Sequence, residues 1–431
     1  MKNFKDSGIE WLGEIPQDWE IKPLKAVFNQ RNEQNTNLKL CTILSLIKDI
    51  GVVPYEEKGN IGNKSKEDLK NYKIARINDL VLNKMNAAIG SLGVSAYNGL
   101  VSPIYLVFYI NNPKYLMSYY SYLFQIKSVQ KFLKIYAYGI MEIRESIDYL
   151  DFKKMSLPVP PLKVQEQIAN FLDEKCEQIA NFIEKKEKLI SLLKEQKQVL
   201  INETITKGLD KNVNFKDSGI EWLGEIPQHW EIVKLKYLGN FQNGISINSE
   251  AFGVGYPFVS YGDVYNNISI PFDVKGLVNS TEIDRKVYSV KQGDIFFTRT
   301  SETIDEIGIS SVCLKTIENA VFAGFLIRFR ANKKILDNNF AKFYFRRNLN
   351  QYFFAKENGL VTRASLGQEL LGKLPVIIPP LKEQEQIAKF LDEKCEKIDL
   401  LIEKTKKQIK LIKEYKTTLI NQAVCGRIGK S

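Results

Sequence analysis

The sequence predicts an α+β chain in which a long antiparallel two-helix coiled coil separates two mixed, strand-rich domains related by a pseudo-twofold internal repeat. Three observations carry this. Eighteen residues occur twice almost unchanged, FKDSGIEWLGEIPQDWEI from Phe4 to Ile21 and FKDSGIEWLGEIPQHWEI from Phe215 to Ile232, differing only at Asp18 and His229. A second block also recurs, PPLKVQEQIANFLDEKCEQI from Pro160 to Ile179 and PPLKEQEQIAKFLDEKCEKI from Pro379 to Ile398. Between these constant blocks lie two long stretches that share little, so the order of motif, variable stretch and helix runs through twice. The expected spans are 1–159 for the first motif and domain and 160–208 for the first long helix; 209–378 holds the second motif and domain, and 379–431 the second long helix.

Each Pro-Pro-Leu opens a helix. Its first turns carry Gln165 and Glu166, or Glu383 and Glu385, and acidic side chains suit the positive helix end. One stripe then recurs at spacing seven: Leu172, Ile179, Lys186, Leu193 and Leu200, and Leu391, Ile398, Thr405, Ile412 and Leu419. Further sets (Ile168, Phe182, Leu189; Ile387, Leu401, Tyr415; Ile183, Ile190; Ile402, Ile409) widen the stripe beyond a minimal seam. Glycine with a cation marks each exit, Lys207-Gly208 and Gly426-Arg427. A helix from Val164 to Thr206 runs about 65 Å at 1.5 Å per residue. No small domain can bury a stripe that long, so the second helix is its natural partner. Symmetry makes the pair antiparallel and places the first motif beside the end of the second helix near Gly426.

The variable stretches read as diverged copies of one fold. Short β-branched and aromatic runs, Asp79 to Asn83, Ile104 to Ile110, Asp294 to Thr298 and Phe325 to Phe329, alternate with turn residues. Helical segments follow at Tyr115 to Ile135 and Phe340 to Lys356. DLVLNKM at Asp79 matches DIFFTRT at Asp294, which sets Lys84 opposite Arg299. VSPIYLVF at Val101 matches FAGFLIRF at Phe322, and Arg144-Glu145-Ser146 matches Arg363-Ala364-Ser365.

Net charge is +11, and its location says more than its size. Lys22 to Val159 holds 19 basic against 11 acidic residues, Val233 to Ile378 holds 18 against 13, and the remainder is slightly acidic. Positive excess in the two variable stretches is what a polyanionic partner such as DNA requires, although a solubility charge reads the same way. Five cysteines form no CxxC pair, and Cys176 and Cys395 take the same helix-packing position in both copies. With no apolar run long enough to span a bilayer and no secretory leader, a cytoplasmic, membrane-free protein is expected.

Catalytic motifs are missing. FGVG at Phe252 and NNPKY at Asn111 lack the neighbours of a methyltransferase cofactor loop and amine clamp. GRIGKS at Gly426 has the wrong glycine spacing for a phosphate loop. His229 is the only histidine and replaces an aspartate in a repeated motif; DEK at Asp173 and Asp392 reads as a solvated helix face. No Cys/His spacing suggests a metal.

DSGIEWLGEIP, NKMNAAIGSLGVS, GLVSPIYLVF, GDIFFTRTSET and the PPLxxQEQIAxFLD helix start, spread over essentially the whole chain, resemble the specificity subunit of type I restriction–modification systems. The resemblance implies two target-recognition domains, each reading one half of a bipartite, asymmetric DNA site, with the helices setting the spacer. It also implies two methyltransferase (M) subunits that carry S-adenosylmethionine, and restriction (R) subunits, where present, that use ATP and Mg. No cofactor and no catalysis are expected in this chain.

Duplex readout needs phosphate contacts for position and base-edge contacts for sequence. The candidates are Asn83, Lys84, Asn86, Ser91 and Arg144 in the first domain, and Thr298, Arg299, Thr300, Ser301 and Arg363 in the second. The structural alternative is that Lys84 and Arg299 anchor loops to carboxylates while Asn83 and Ser91 cap turns. Trp11, Leu12 and Ile15, with Trp222, Leu223 and Ile226, either pack against the helix pair or form an M-subunit docking face. The rival to a DNA reader is a non-DNA scaffold whose coiled coil holds two protein-binding domains apart.

Overall fold

A computed structural model gives the fold and describes residues 3–38, 40–48, 50–59, 69–138, 146–301, 307–332, 335–347, 350, 352–354, 356 and 364–428. The chain divides into two compact units, Met1–Lys186 with Lys407–Ser431, and Glu187–Lys406. This departs from the four expected spans, because the long helices Leu162–Lys207 and Leu381–Val424 are not bodies of their own. Each half-helix buries its stripe in the core beside it, so each unit takes the start of one helix and the end of the other.

In the first unit, strand Glu20–Pro23 of the repeated motif pairs antiparallel with Ser156–Val159, which leads directly into the first long helix. A four-stranded antiparallel sheet has the order Asn29–Gln30, Tyr105–Tyr109, Leu80–Asn83, Leu92–Val94. Side chains alternate across a strand, and here both faces are buried. Leu80, Leu82, Leu106 and Phe108 pack against helix Met117–Gln125, Leu172 and Ile179, and Leu419 to Val424. Val81 and Val107 face the other way, onto Leu44, Val52, Ala75 and Val101 around a hairpin of Leu44–Ile47 and Gly51–Pro54.

The second unit repeats this plan. Glu231–Lys234 pairs with Pro375–Ile378, and the sheet order is Gly239–Asn243, Leu326–Ala331, Ile295–Thr298, Ser310–Val312. Ile295, Phe297, Ile327 and Phe329 face a core shared with Ile201, Ile205, Ile387, Ala388 and Leu391. Phe296 turns to a second layer of three strands, Gly276–Val278, Phe252–Val259 and Val321–Phe322. Both expected strand correspondences hold residue for residue: Tyr105 pairs with Asn83 as Leu326 pairs with Thr298.

The helix segments are antiparallel. Within the second unit Lys197 meets Asp399 at 2.6 Å, and stepping forward to Ile201 and Ile205 means stepping back to Cys395 and Leu391 in the same core. In the first unit the start of the first helix shares a core with the end of the second, and Gly426 lies against Pro16 and Trp19 as symmetry predicted. Gly426 has φ +71°, and a Cβ there would sit 2.7 Å from Pro16. Its counterpart Gly208 (φ +73°) lies against Trp230. Only glycine meets both demands.

Two repeated polar residues prove to be internal ties. Gln165 is fully buried: its Nε2 donates to Lys114 O and Pro160 O, and its Oε1 accepts from Leu116 N–H at 2.8 Å. Gln384 makes the equivalent three bonds to Ile335, Pro379 and Asp337. Asp173 and Asp392 are exposed, as read, and each also holds the domain helix: Tyr122 Oη donates to Asp173 and Lys342 Nζ to Asp392, both at 2.6 Å.

Three expectations change. The domain helices are broken once and not continuous: Ile126 and Arg347 adopt extended backbone, and helix resumes at Lys127–Phe132 and Leu133–Tyr136 in the first unit and at 350, 352–354 and 356 in the second. Burial of the Arg347 side chain beneath Trp222 and Tyr344 goes with that break. The widened helix stripe is only half covered: Phe182, Leu189, Leu401 and Tyr415 stay exposed, since a two-helix pair buries one seam and not two. Leu12 (1%), Ile15 (0%), Leu223 (6%) and Ile226 (0%) lie inside the cores, so they cannot be a docking surface; they pack the motif against the helices. Trp11 and Trp222 are half-buried against Phe132 and Phe353.

Candidate functional site

The strands that carry the candidate residues are the same strand in the two units. A buried aspartate precedes each. Asp79 accepts from Arg31 Nε at 2.6 Å and from the Arg76 N–H; Asp294 accepts from Arg330 Nε at 2.5 Å and from the Lys291 N–H. A buried carboxylate is tolerated only when neutralised and hydrogen-bonded, so the start of each strand is pinned. The far end then delivers Lys84 or Arg299. Its backbone is held alike in both units, Lys84 O accepting from Ile147 N–H at 3.0 Å and Arg299 O from Leu366 N–H at 2.7 Å. Among the described residues no carboxylate pairs with either side chain, so neither cation is a loop anchor there.

In the first unit Asn83, Asn86 and Ser91 line one concavity of about 510 Å³, together with Lys48, Lys58, Tyr72 and Tyr105. Asn83 Oδ1 also accepts from Met85 N–H at 3.0 Å, which closes the turn that carries Lys84. Ser91 is buried, and its N–H donates to Asn86 O. Lys73 donates to Tyr105 O at 2.7 Å; burial, and then the charge of Lys84, hold its ammonium below the usual lysine range. Like charges this close favour an anionic ligand that relieves them.

The second unit is arranged differently at this edge. Thr298 is fully buried with its hydroxyl accepting from Ile309 N–H at 2.9 Å, so it secures the strand and does not face outward. Thr300 is exposed and pairs with Ser365, while the Ser301 backbone pairs with Ala364. Tyr261 Oη donates to Thr300 O at 3.1 Å, and Tyr261 stacks on Tyr265 at 5.9 Å and 20°. This aromatic pair beside Thr300 escaped the sequence reading, although YGDVY places two tyrosines four apart directly after a strand. Arg144 and Arg363 lie outside the described residues.

Among the described residues there is no group of His, Cys, Asp and Glu that could hold a metal ion, and no helix long and apolar enough to cross a membrane. His229 Nε2 lies 2.8 Å from Glu383 Oε1, and Trp230 Nε1 donates to Glu383 Oε2, so the single histidine braces a helix start.

The model of a protein family described as the type I restriction modification DNA specificity domain matches residues 16–200 and again 227–411. A Methanocaldococcus jannaschii protein assigned as the specificity subunit of the MjaX type I restriction enzyme is 27% identical over 451 residues, covering 99% of this chain and 97% of that one. The MjaVIII specificity subunit of the same organism is 28% identical over 71% of this chain and 70% of its own length. In structure, the chain is similar to one solved in work on complex assembly and conformational transition of the type I R-M system (TM-score 0.72, 14% identity, 96% of this chain and 99% of that one). It is also similar to the HsdS subunit of Thermoanaerobacter tengcongensis (TM-score 0.56, 13% identity, 96% of this chain and 98% of that one).

Proposed function

We propose that this chain, which belongs to the type I restriction modification DNA specificity family, reads one bipartite duplex target, with each unit reading its own half-site. The observation that carries this is the matched strand end: one scaffold, pinned by a buried aspartate, delivers Lys84 in one unit and Arg299 in the other, neither paired with a carboxylate among the described residues. The residues beside those cations differ: Asn83 and Asn86 flank Lys84 and line a concavity with tyrosines, while Arg299 is followed by an exposed Thr300 beside a tyrosine stack. Different neighbours on one frame select different bases, so the target is asymmetric. Asn83, Asn86 and Ser91 supply hydrogen-bonding groups in the first unit, and Arg299 and Thr300 in the second. Lys48, Lys58 and Lys84 meet phosphates.

Chemistry belongs to partners in this reading. Two M subunits carry S-adenosylmethionine and methylate; R subunits, if they join, use ATP and Mg. The long helices set the spacer. M subunits dock on apolar side chains that the helices leave exposed, Phe182, Leu411 and Tyr415 in the first unit and Leu192, Leu400 and Leu401 in the second. These replace the buried motif residues as the docking candidates.

Single-molecule methylome sequencing of cells carrying the chain and its methyltransferase partner is expected to return one divided, asymmetric motif. A symmetric or undivided motif sinks the reading. Exchanging residues 22–159 for another insert changes one half-site and leaves the other. Binding weakens steeply between low and moderate salt because several phosphates are neutralised; a flat response favours the protein scaffold.

A further inference from the structure

Each unit places a large exposed apolar side chain at the same point of the fold, next to the cation that ends the central strand. In the first unit it is Ile104, 49% exposed, on the turn Ser102-Pro103-Ile104 that leads into strand Tyr105–Tyr109. In the second it is Phe325, 65% exposed, on the turn Ala323-Gly324-Phe325 that leads into Leu326–Ala331. The strand registers make the two positions equivalent, since each immediately precedes the residue paired with Asn83 or Thr298. Ile104 lines the same concavity as Asn83, Asn86 and Ser91, in company with Met85 and Ile89, themselves about half exposed. Phe325 O accepts from the Arg299 N–H at 2.9 Å, which ties its turn to that residue.

Neither side chain has a structural use that explains its exposure. The residue after each is the buried or half-buried start of a core strand, and the residues before are small or proline. A polar residue at either turn would leave the sheet intact. Both variable stretches nevertheless carry a bulky hydrocarbon there, although the two turns share no residue. A shared apolar position filled by side chains of different shape is what a pair of readers of different sequences requires.

We infer that Ile104 and Phe325 are specificity-determining residues, each making an apolar contact with a thymine C5-methyl in the half-site of its own unit. The inference rests on the DNA-reading function proposed above. Groove edges otherwise offer donors and acceptors, and the thymine methyl is the apolar group available to a hydrocarbon side chain in the major groove. The neighbouring Arg299 and Asn86 are side chains of the kinds that pair with purine edges in that groove, so an apolar group beside them completes a mixed readout. Phe and Ile differ in reach and width, and so suit thymines in different flanking contexts.

The test uses the chain co-purified with its methyltransferase partner and the duplex motif found by methylome sequencing. Each thymine of the two half-sites is replaced in turn by uracil, which removes only the methyl, and affinity is measured for the wild type, Phe325→Ala and Ile104→Ala. In the wild type, one uracil in each half-site weakens binding, by about fourfold for one buried methyl. Phe325→Ala binds the natural duplex with that same loss and is indifferent to the uracil in the half-site of the second unit, while its response in the other half-site is unchanged. Ile104→Ala behaves reciprocally. Both residues are exposed, so melting temperatures stay at the wild-type value, and Phe325→Leu retains part of the contact. If wild type ignores every uracil, or if the alanine variants still respond to the same uracils, the inference is overturned while the DNA-reading function stands. If the wild-type complex binds no bipartite duplex at all, that function falls and the inference with it.

Discussion

The two units neutralise the same buried aspartate with arginines drawn from different places. In the first, Arg31 follows the edge strand Asn29–Gln30 and reaches Asp79; in the second, Arg330 projects from the neighbouring strand Leu326–Ala331 to Asp294. The carboxylates are 2% and 0% exposed at the side chain, so in both units the charge must be met by an ion partner whatever supplies it. The requirement belongs to the site and not to the donor strand. A scaffold held by such requirements can keep its shape while most of its sequence drifts. That is how two stretches with little in common present the same strand end to a ligand. The reading edges carry no such constraint, and there the units diverge.

The comparison breaks most visibly at the tryptophans of the repeated motif. Trp19 and Trp230 are 2% and 0% exposed, and each is wedged against the glycine that ends a long helix. Trp19→Ala and Trp230→Ala should each cost about 3–5 kcal/mol. Hydrogen exchange read separately on core strands Leu80–Asn83 and Ile295–Thr298 is the appropriate measure, because a chain of two units has no single unfolding free energy. Equal losses, each confined to the unit mutated, support the equivalence. A small loss at either position would mean that the frame is not doing the same job twice.

Next in size are the pinned strands themselves. Asp79→Ala and Asp294→Ala each strand a guanidinium in a half-buried site, a loss of about 3 kcal/mol. Asp294 also accepts from the Lys291 N–H and Asp79 from the Arg76 N–H, so the two losses should be close. Removing the arginine as well, by Arg31→Met or Arg330→Met in the same background, should recover part of it. Failure to recover would show that the backbone bonds, and not charge balance, hold the strand.

Much of this plan was legible beforehand. Direct repetition exposed the frame; short β-branched and aromatic runs between turn residues exposed the strands, whose two faces, Leu80 and Leu82 against Val81, are both buried. What stayed hidden depended on partners distant in sequence. Gln165 looks like an ordinary first-turn residue until the loop at Lys114 is seen to need its amide, and Asp173, exposed as read, gives no sign that it also accepts from Tyr122. Apolar runs carry no sign of direction, so Leu12 and Ile15 read equally well as core or as docking face. Helix periodicity ran straight through Ile126 and Arg347, where a single extended residue breaks the helix before it resumes. Among the candidate contacts, Lys84 and Arg299 are placed at matched strand ends with no carboxylate partner among the described residues, whereas burial of Thr298 was invisible in the pattern TRT.

A third expectation sharpens the role of the hidden ties. Gln165→Ala leaves the Leu116 N–H without its acceptor, and Gln384→Ala does the same to the Asp337 N–H. Each should cost about 2 kcal/mol, since an orphaned buried donor forfeits its desolvation energy. The cost should appear as faster exchange at the start of helices Met117–Gln125 and Asn338–Arg346, with the far strands unaffected. Loss spread evenly over a unit would place the glutamine among packing residues instead.

The smallest effect isolates the one difference inside the repeated motif. Asp18 in the first copy becomes His229 in the second, and the helix-start residue beside it changes in step, from Val164 to Glu383. In the second unit Glu383 accepts from Trp230 and sits 2.8 Å from His229; in the first, Val164 packs beside the Trp19 cluster. Glu383→Val removes the carboxylate that pairs with His229 and accepts from Trp230 Nε1–H, but gains the apolar contact its counterpart makes, so the single change should cost about 1 kcal/mol. His229→Asp alone sets two acids together beside Trp230 and should cost somewhat more. Making both changes turns the second site into the first, and the double variant should be more stable than the sum of the single losses. Additivity across that cycle would mean the two positions do not speak to each other, and that the coincidence of the two differences is accidental.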